Sequence, residues 1–341
     1  MVQIVDVPRM ARWIASSGVE ARIAGIAAAI EADFANWERF DKVSRLAAHS
    51  PNGVIELMPA SNGELYAVKY VNGPPINPGR GLQTVVGIGI LSDVDTGYPL
   101  LICEMTMLTA LRTAATSAVA ARLLARQDAT RMTLIGTGSQ SEFQALGFRA
   151  LLGINDLTLW DTDPHAMTKA AQNLASLGFE VRIASGAADA TANADIITTC
   201  TADKTLATVL TDAMVKPGVH INAIGGDCPG KTELDPLILS RARIVVEHEP
   251  QTRIEGEIQH LPEGHEVTEL WRIIRREARG RVSDEEITLF DSVGFAIEDF
   301  SALRYVHATL DGDVEELDLL AAPADPKNLY SLIASGVPAA V

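Results

Sequence analysis

The stretch Met132-Thr-Leu-Ile-Gly-Thr-Gly-Ser-Gln-Ser-Glu-Phe-Gln144 constrains the fold more than any other part of this chain. An apolar run ends in Gly136-x-Gly138, a helix-compatible segment follows, and a second apolar run, Leu157-Thr-Leu-Trp160, ends in Asp161. Strand, glycine turn, helix, strand and acid in that order is the layout of a dinucleotide-binding half. The glycines let the backbone approach a pyrophosphate, and the helix N-terminus faces its negative charge. An acid closing the second strand accepts hydrogen bonds from an adenosine ribose, which favours NAD over a 2′-phosphorylated cofactor. The third position of the fingerprint is Ser141 rather than Gly, small enough for close helix–strand packing but a departure from the pattern. An ordinary αβ turn is the competing reading, and the flanking strands with Asp161 argue against it.

A nucleotide-binding fold built from the N-terminus would show its glycine turn within the first few tens of residues, so a separate unit precedes position 136. In a chain of 341 residues two domains are expected. Segments 7–13 and 18–34 read as helices, the second from Ile23, Ile26, Ala27, Ile30 and Phe34 at helical spacing. Segments 53–58, 64–70, 84–91 and 99–105 read as strands separated by turn-rich pieces, with no helices between them, which predicts a mostly antiparallel α+β domain. An Ala-rich helix over 108–125 leads into alternation. Strands are expected at 132–135, 157–161, 180–183, 196–199, 220–224, 244–246 and 288–293, and helices at 141–152, 164–177 and 295–310. That pattern is an α/β, Rossmann-type doubly wound parallel sheet. The expected division is residues 1–112 for substrate binding and dimerisation, 113–314 for NAD, and a tail, 315–341, rejoining the first domain.

The net charge of −16 argues against a nucleic-acid partner, which requires a basic face. No run approaches the roughly 20 apolar residues of a membrane span. The start, Met1-Val-Gln-Ile-Val-Asp6, has neither the basic residues nor the apolar core of a signal peptide, so a cytoplasmic protein is expected. Cys103, Cys200 and Cys228 are too few and too scattered for a disulfide framework or a zinc site, and no metal is expected.

Strand 220–224 runs into Gly225-Gly-Asp-Cys-Pro-Gly-Lys-Thr-Glu-Leu-Asp235, where Thr232 and Asp235 suggest a capping box that starts a helix. Asp227 therefore lies on a Gly-rich loop at the carboxyl end of a parallel strand, where ligands bind in open α/β sheets. It reads either as a turn residue bonded to its own backbone or as a carboxylate that takes a proton or holds a cationic amine. Arg45, Lys69 and Arg112 stand out among the cations. A Lys between Val68 and Tyr70 in a strand ordinarily faces solvent, and Arg112 reads equally as a solvated helix residue. If two or three of them converge, they make a carboxylate clamp. His49 and His248 have no partner at metal-ligand spacing and read as structural, and no Ser-His-Asp arrangement is visible.

Several blocks resemble the ornithine cyclodeaminase/mu-crystallin family: Gly53-Val-Ile-Glu-Leu-Met-Pro59, Lys69-Tyr-Val-Asn-Gly73, Leu111-Arg-Thr-Ala-Ala-Thr-Ser117, Ser141-Glu-Phe-Gln-Ala145, Ala223-Ile-Gly-Gly-Asp-Cys-Pro-Gly-Lys-Thr-Glu-Leu234, Glu249-Pro-Gln-Thr-Arg-Ile-Glu-Gly-Glu-Ile258 and Asp291-Ser-Val-Gly-Phe-Ala-Ile-Glu-Asp299. The resemblance runs from about residue 5 to about 310. It implies a homodimer with NAD as cofactor, a carboxylate clamp at Arg45, Lys69 and Arg112, an active-site acid at Asp227, and Glu56 as a polar partner for substrate or water. Cofactor contacts carry over to Thr84, Arg112, Ser139, Gln140, Asp161, Thr201, Lys231 and Ser292, and to the glycines Gly136, Gly138, Gly225 and Gly226. In this family Ser141 is habitual at the fingerprint position.

The activity so implied is redox-neutral conversion of L-ornithine to L-proline and ammonia. The alternatives are an NAD(P)-dependent amino-acid dehydrogenase or cyclic ketimine reductase of the same fold, a lysine cyclodeaminase, and a non-catalytic mu-crystallin-like ligand binder. The intact block around Asp227 favours a cyclodeaminase over a dehydrogenase or reductase, which need not manage a second amine, and leaves ornithine and lysine both open.

Overall fold

A computed structural model describes residues 1–50, 53–74, 76–202, 207–312 and 315–334. Two sheets organise them. The first runs in spatial order Glu315–Leu317, Val2–Val5, Pro99–Glu104, Val86–Asp93, Leu65–Asn72, Gly53–Ser61 and Asp41–Lys42, with Leu46–Ser50 also paired to Gly53–Ser61. Its pairs are antiparallel except Val2–Val5 beside Pro99–Glu104. The four expected strands are present. The margins come from short segments, and the pairing of Glu315–Leu317 with Val2–Val5 brings the far end of the chain onto this sheet.

Helix Ala296–Thr309 lies across Gly53–Ser61, Leu65–Asn72 and Val86–Asp93 and covers one face of the sheet. Period-two alternation puts Val54, Glu56, Met58, Ala67, Lys69 and Val71 on that covered face. The opposite face presents Ile55, Leu57, Tyr66, Tyr70, Val86 and Ile88, all exposed.

The second sheet is parallel throughout, in the order Glu180–Ile183, Asp156–Trp160, Arg131–Ile135, Ile196–Thr199, His220–Ala223, Ile287–Asp291, Ala242–Val246 and Thr268–Glu269. Strand order reverses between Arg131–Ile135 and Ile196–Thr199, which opens a crevice at their carboxyl ends. Ile287–Asp291, the last strand in sequence here, inserts between His220–Ala223 and Ala242–Val246 rather than closing an edge.

The Ala-rich segment forms helix Thr106–Leu124, buried along most of its length. Its alanines allow close approach: a Cβ added at Gly147, on helix Ser141–Leu152, would meet the Ala114 carbonyl oxygen at 2.8 Å. The expected capping box does not form. Asp235 is itself the N-cap of helix Pro236–Arg241, accepting from the Leu237 N–H at 3.0 Å. Pro236 at the first helical position supplies no N–H, and Thr232 instead lies 3.4 Å from His260 Nε2. No single helix among the described residues is long and apolar enough to cross a membrane.

Candidate active site

Strand alternation aims Lys69 inward, and helix Ala296–Thr309 meets it with Glu298 and Asp299 from its first turn, where the helix dipole favours acids. Lys69 Nζ lies 2.8 Å from Asp299 Oδ1 and from Oδ2. Arg112 Nε donates to Asp299 Oδ1 at 3.0 Å, and Arg112 Nη1 to Glu298 Oε2 at 2.7 Å. The solvent-facing expectation for these two cations is therefore wrong, since Lys69 is 1% and Arg112 6% exposed. Lys69 misleads because its apolar neighbour Tyr70 points to the outer, apolar face of the sheet. Burial, with the Arg112 charge beside it, pushes the Lys69 ammonium down to about 8. Burial likewise pushes Glu298 up to about 8.

Arg45 joins from the segment between Asp41–Lys42 and Leu46–Ser50. Its Nη1 donates to Glu56 Oε2 at 3.0 Å, and its Nη2 donates to the carbonyl oxygens of Val293 and, at 2.8 Å, of Gly294. Its Nε lies 3.1 Å from Glu255 Oε2. Gly294 has φ +77°, and a Cβ there would stand 2.8 Å from Arg112 Nη1, so the loop that receives Arg45 also needs glycine to admit Arg112. The Arg45 charge acts unfavourably on both Lys69 and Arg112. Three cations thus converge on one space, an arrangement that invites a carboxylate.

Asp227 follows strand His220–Ala223, as the sequence placed it. Its side chain is about half exposed, with Lys231 Nζ at 3.9 Å. Its Oδ1 is nevertheless buried and has no hydrogen-bond partner among the described residues. Its charge acts on both Arg45 and Glu255.

The nucleotide half lies at the crevice. Gly136 adopts φ +98°, and a Cβ there would meet the Cys200 carbonyl oxygen at 2.7 Å. Above Gly138 a Cβ would meet nothing within 4 Å. A glycine at positive φ that no side chain could replace, followed by an open one, fits the close passage of a pyrophosphate. Ser139 is exposed beside them, at a groove of about 480 Å³. Asp161 Oδ2 accepts from the Thr137 N–H at 2.6 Å and from its hydroxyl at 2.9 Å, which fixes the carboxylate at the strand end.

Across the crevice, Glu233 accepts from the N–H and hydroxyl of Thr201, while Lys231 Nζ donates to the Thr201 carbonyl at 2.9 Å. A Cβ at Gly225 would collide with the Glu233 carboxyl at 2.2 Å, and one at Gly226 would come within 2.8 Å of Glu257 Oε1. Ser292 donates to buried Glu247. Thr84 is half-buried just before Val86–Asp93. His49 is exposed on Leu46–Ser50, and His248 packs between Trp37 and Phe295 with Glu269 at 3.3 Å.

Residue-level reading missed Glu255, Glu298, Asp299, Glu233 and Glu247. Adjacent acids at 298 and 299 opening a helix were a legible signal, since a buried Lys and Arg elsewhere needed counter-charges. Glu255 carried no local signal of its own.

The chain matches the ornithine cyclodeaminase/mu-crystallin family over residues 8–313. It is 56% identical over 335 residues to an ornithine cyclodeaminase of Agrobacterium fabrum, covering 98% of this chain and 95% of that protein. A lysine cyclodeaminase whose structure concerns recognition of L-lysine, L-ornithine and L-2,4-diaminobutyric acid superposes with TM-score 0.87 at 32% identity, covering 96% of this chain and 99% of that one. An archaeal alanine dehydrogenase dimer with bound NAD gives TM-score 0.81 at 30% identity, covering 90% and 95%. The chain belongs to the ornithine cyclodeaminase/mu-crystallin family.

Proposed function

We propose that this protein is an ornithine cyclodeaminase, an ammonia-lyase that converts L-ornithine to L-proline and ammonia with NAD as an internally recycled cofactor. The observation that carries the reading is the convergence of Arg45, Lys69 and Arg112 at a space that the Asp227 loop also reaches, beside a crevice suited to a dinucleotide. The high identity to ornithine cyclodeaminases over nearly the whole chain supports the same reading.

Bound NAD supplies a hydride acceptor, and later a hydride donor, for the substrate's Cα. The rest falls to the chain. Arg45, Lys69 and Arg112 hold the α-carboxylate; Arg112 Nε and Nη1 are engaged by Asp299 and Glu298, which leaves the Nη2 edge of its fork. Glu56 braces Arg45 and stands as a polar partner for substrate or water. Asp227, with its buried free Oδ1, takes a proton from the δ-ammonium, and the neutral amine attacks the α-imine carbon to close a five-membered ring. Ammonia then departs. Holding amine and imine in one site is worth up to ~7–11 kcal/mol for well-oriented groups. Burial around the clamp limits water, which would otherwise hydrolyse the imine.

Gly136, Gly138, Ser139, Gln140, Asp161, Thr201, Gly225, Gly226, Lys231, Ser292, Thr84 and Arg112 are assigned to the cofactor. Residues 1–112 with the tail from 315 form the substrate and dimerisation domain, and 113–314 the NAD domain; the end of the tail, 335–341, lies outside the described residues. Pairing of Glu315–Leu317 with Val2–Val5 supports the return of the tail, and helix Ala296–Thr309 crosses back to the first sheet to deliver Glu298 and Asp299. The exposed apolar outer face of that sheet suits a homodimer. A cytoplasmic enzyme supplying proline from ornithine completes the reading.

Asp227→Asn tests the mechanism. Proline formation should fall far more than NAD affinity, and near-normal turnover in this variant would refute the role given to Asp227.

A further inference from the structure

A clamp for the α-carboxylate grips every amino acid alike, so recognition of a diamino acid must come from elsewhere in the site. Around Arg45 one guanidinium faces three carboxylates: Glu56, Glu255 and Asp227. The aligned hydrogen bonds of Arg45 go to Glu56 and to the carbonyl oxygens of Val293 and Gly294. Glu255 Oε2, although 3.1 Å from Arg45 Nε, is not aligned as an acceptor. Glu255 Oε2, Arg45 Nε and Asp227 Oδ1 are all buried without a hydrogen-bond partner among the described residues. The Glu255 side chain is only 9% exposed, so water offers it little compensation.

Buried polar atoms are normally satisfied, and an unpaired buried carboxylate is costly. Each oxygen has a cation beside it, Arg45 Nε at 3.1 Å for Glu255 and Lys231 Nζ at 3.9 Å for Asp227, but no aligned donor, and three carboxylates around one guanidinium call for a further cation with several donors. A primary ammonium carries three.

We infer that Glu255 is the second carboxylate of a distal-amine subsite, which with Asp227 binds the terminal ammonium of an α,ω-diamino acid and selects it over a monoamino acid of equal length. The inference rests on the clamp holding the α-carboxylate of an amino acid. It assigns Glu255 to substrate selection, whereas Asp227 takes the proton. Burial, reinforced by the Glu56 and Asp227 charges and opposed by Arg45, pushes Glu255 up to about 7. The carboxyl is therefore increasingly ionised as pH rises through that value. Affinity for a diamino acid rises over the same range, while affinity for a monoamino acid does not.

The test compares L-ornithine with L-norvaline, which has the same carbon chain but no δ-amine. Calorimetry on the NADH-loaded protein, where ornithine cannot be oxidised, gives both dissociation constants. In Glu255→Gln the ornithine constant should rise about 10- to 150-fold, the loss of one hydrogen bond to a charged group, with the norvaline constant unchanged. The ornithine-to-norvaline preference of the wild type should grow through about pH 7, and that growth should vanish in the variant. A parallel loss for both ligands would mean that Glu255 only holds Arg45, and would overturn the inference; so would no loss for either. If Glu255→Gln does not fold, the wild-type preference decides alone, and a preference flat through that pH overturns it. Failure of the wild type to make proline would contradict the proposed function while leaving this binding comparison readable.

Discussion

Replacing Lys69 with Met separates what this buried ammonium does for the fold from what it does for the substrate. In the folded protein its pKa falls from 10.5 to about 8, so burying it costs roughly 3 kcal/mol at 1.36 kcal/mol per unit. Breaking a buried ion pair costs about 3–5 kcal/mol when the remaining charge is stranded. Here Asp299 is not stranded, because Arg112 Nε still donates to it at 3.0 Å. That cost is already net of the attraction to Asp299, so Lys69→Met should be no less stable than wild type, and up to about 3 kcal/mol more stable, in thermal or denaturant unfolding near neutral pH. Substrate binding has no such compensation. One of three cations on the α-carboxylate is lost, and a hydrogen bond to a charged group worth about 1.5–3 kcal/mol predicts a KM for ornithine raised about 10- to 150-fold.

The pH profile supplies an independent check on Lys69. A base whose folded pKa lies below its unfolded value binds fewer protons when folded. Its burial cost is therefore full below about 8 and relieved as pH rises from there toward 10.5. Wild-type stability gains from Lys69 over that window while wild-type KM worsens, as the clamp loses a charge. Both trends should be missing in Lys69→Met. Initial-rate kinetics and unfolding over the same pH range measure them together. An unchanged KM in a folded Lys69→Met protein would refute the clamp assignment.

Other outcomes follow from the same geometry. Gly136→Ala combines φ +98° with a Cβ 2.7 Å from the Cys200 carbonyl oxygen, a backbone atom that cannot swing away. Strain of about 1–3 kcal/mol should lower both thermal stability and NAD affinity, and equilibrium dialysis that finds normal NAD binding would contradict the cradle. Ile88→Lys, on the exposed apolar sheet face, should yield monomers in sedimentation velocity without altering the fold; a dimer persisting at wild-type strength would move the interface elsewhere.

Most of the parallel sheet was legible because its strands are announced locally, by apolar runs spaced by helices; the two-residue strand Thr268–Glu269 carries no such run and was not expected. Val2–Val5 and Glu315–Leu317 were not legible either, since each is a short strand defined by partners far along the chain. Lys69 shows the limit most clearly. Alternation correctly put it on the face opposite Tyr70, but which face was buried depended on helix Ala296–Thr309, more than two hundred residues away. Because the outer face is itself apolar, the usual equation of polar with solvated reversed. Asp227 was legible as a candidate because loop position and chemistry coincide, whereas Glu255 gains meaning only from standing beside Arg45.

L-Ornithine deuterated at Cα, incubated with the protein and NAD, tests the central claim most directly. If hydride leaves and returns within one site, proline retains the deuterium, ammonia forms in equal amount and NADH does not accumulate. Net NADH with an oxo acid or cyclic imine would instead make the protein a dehydrogenase and remove the ring-closing role of Asp227.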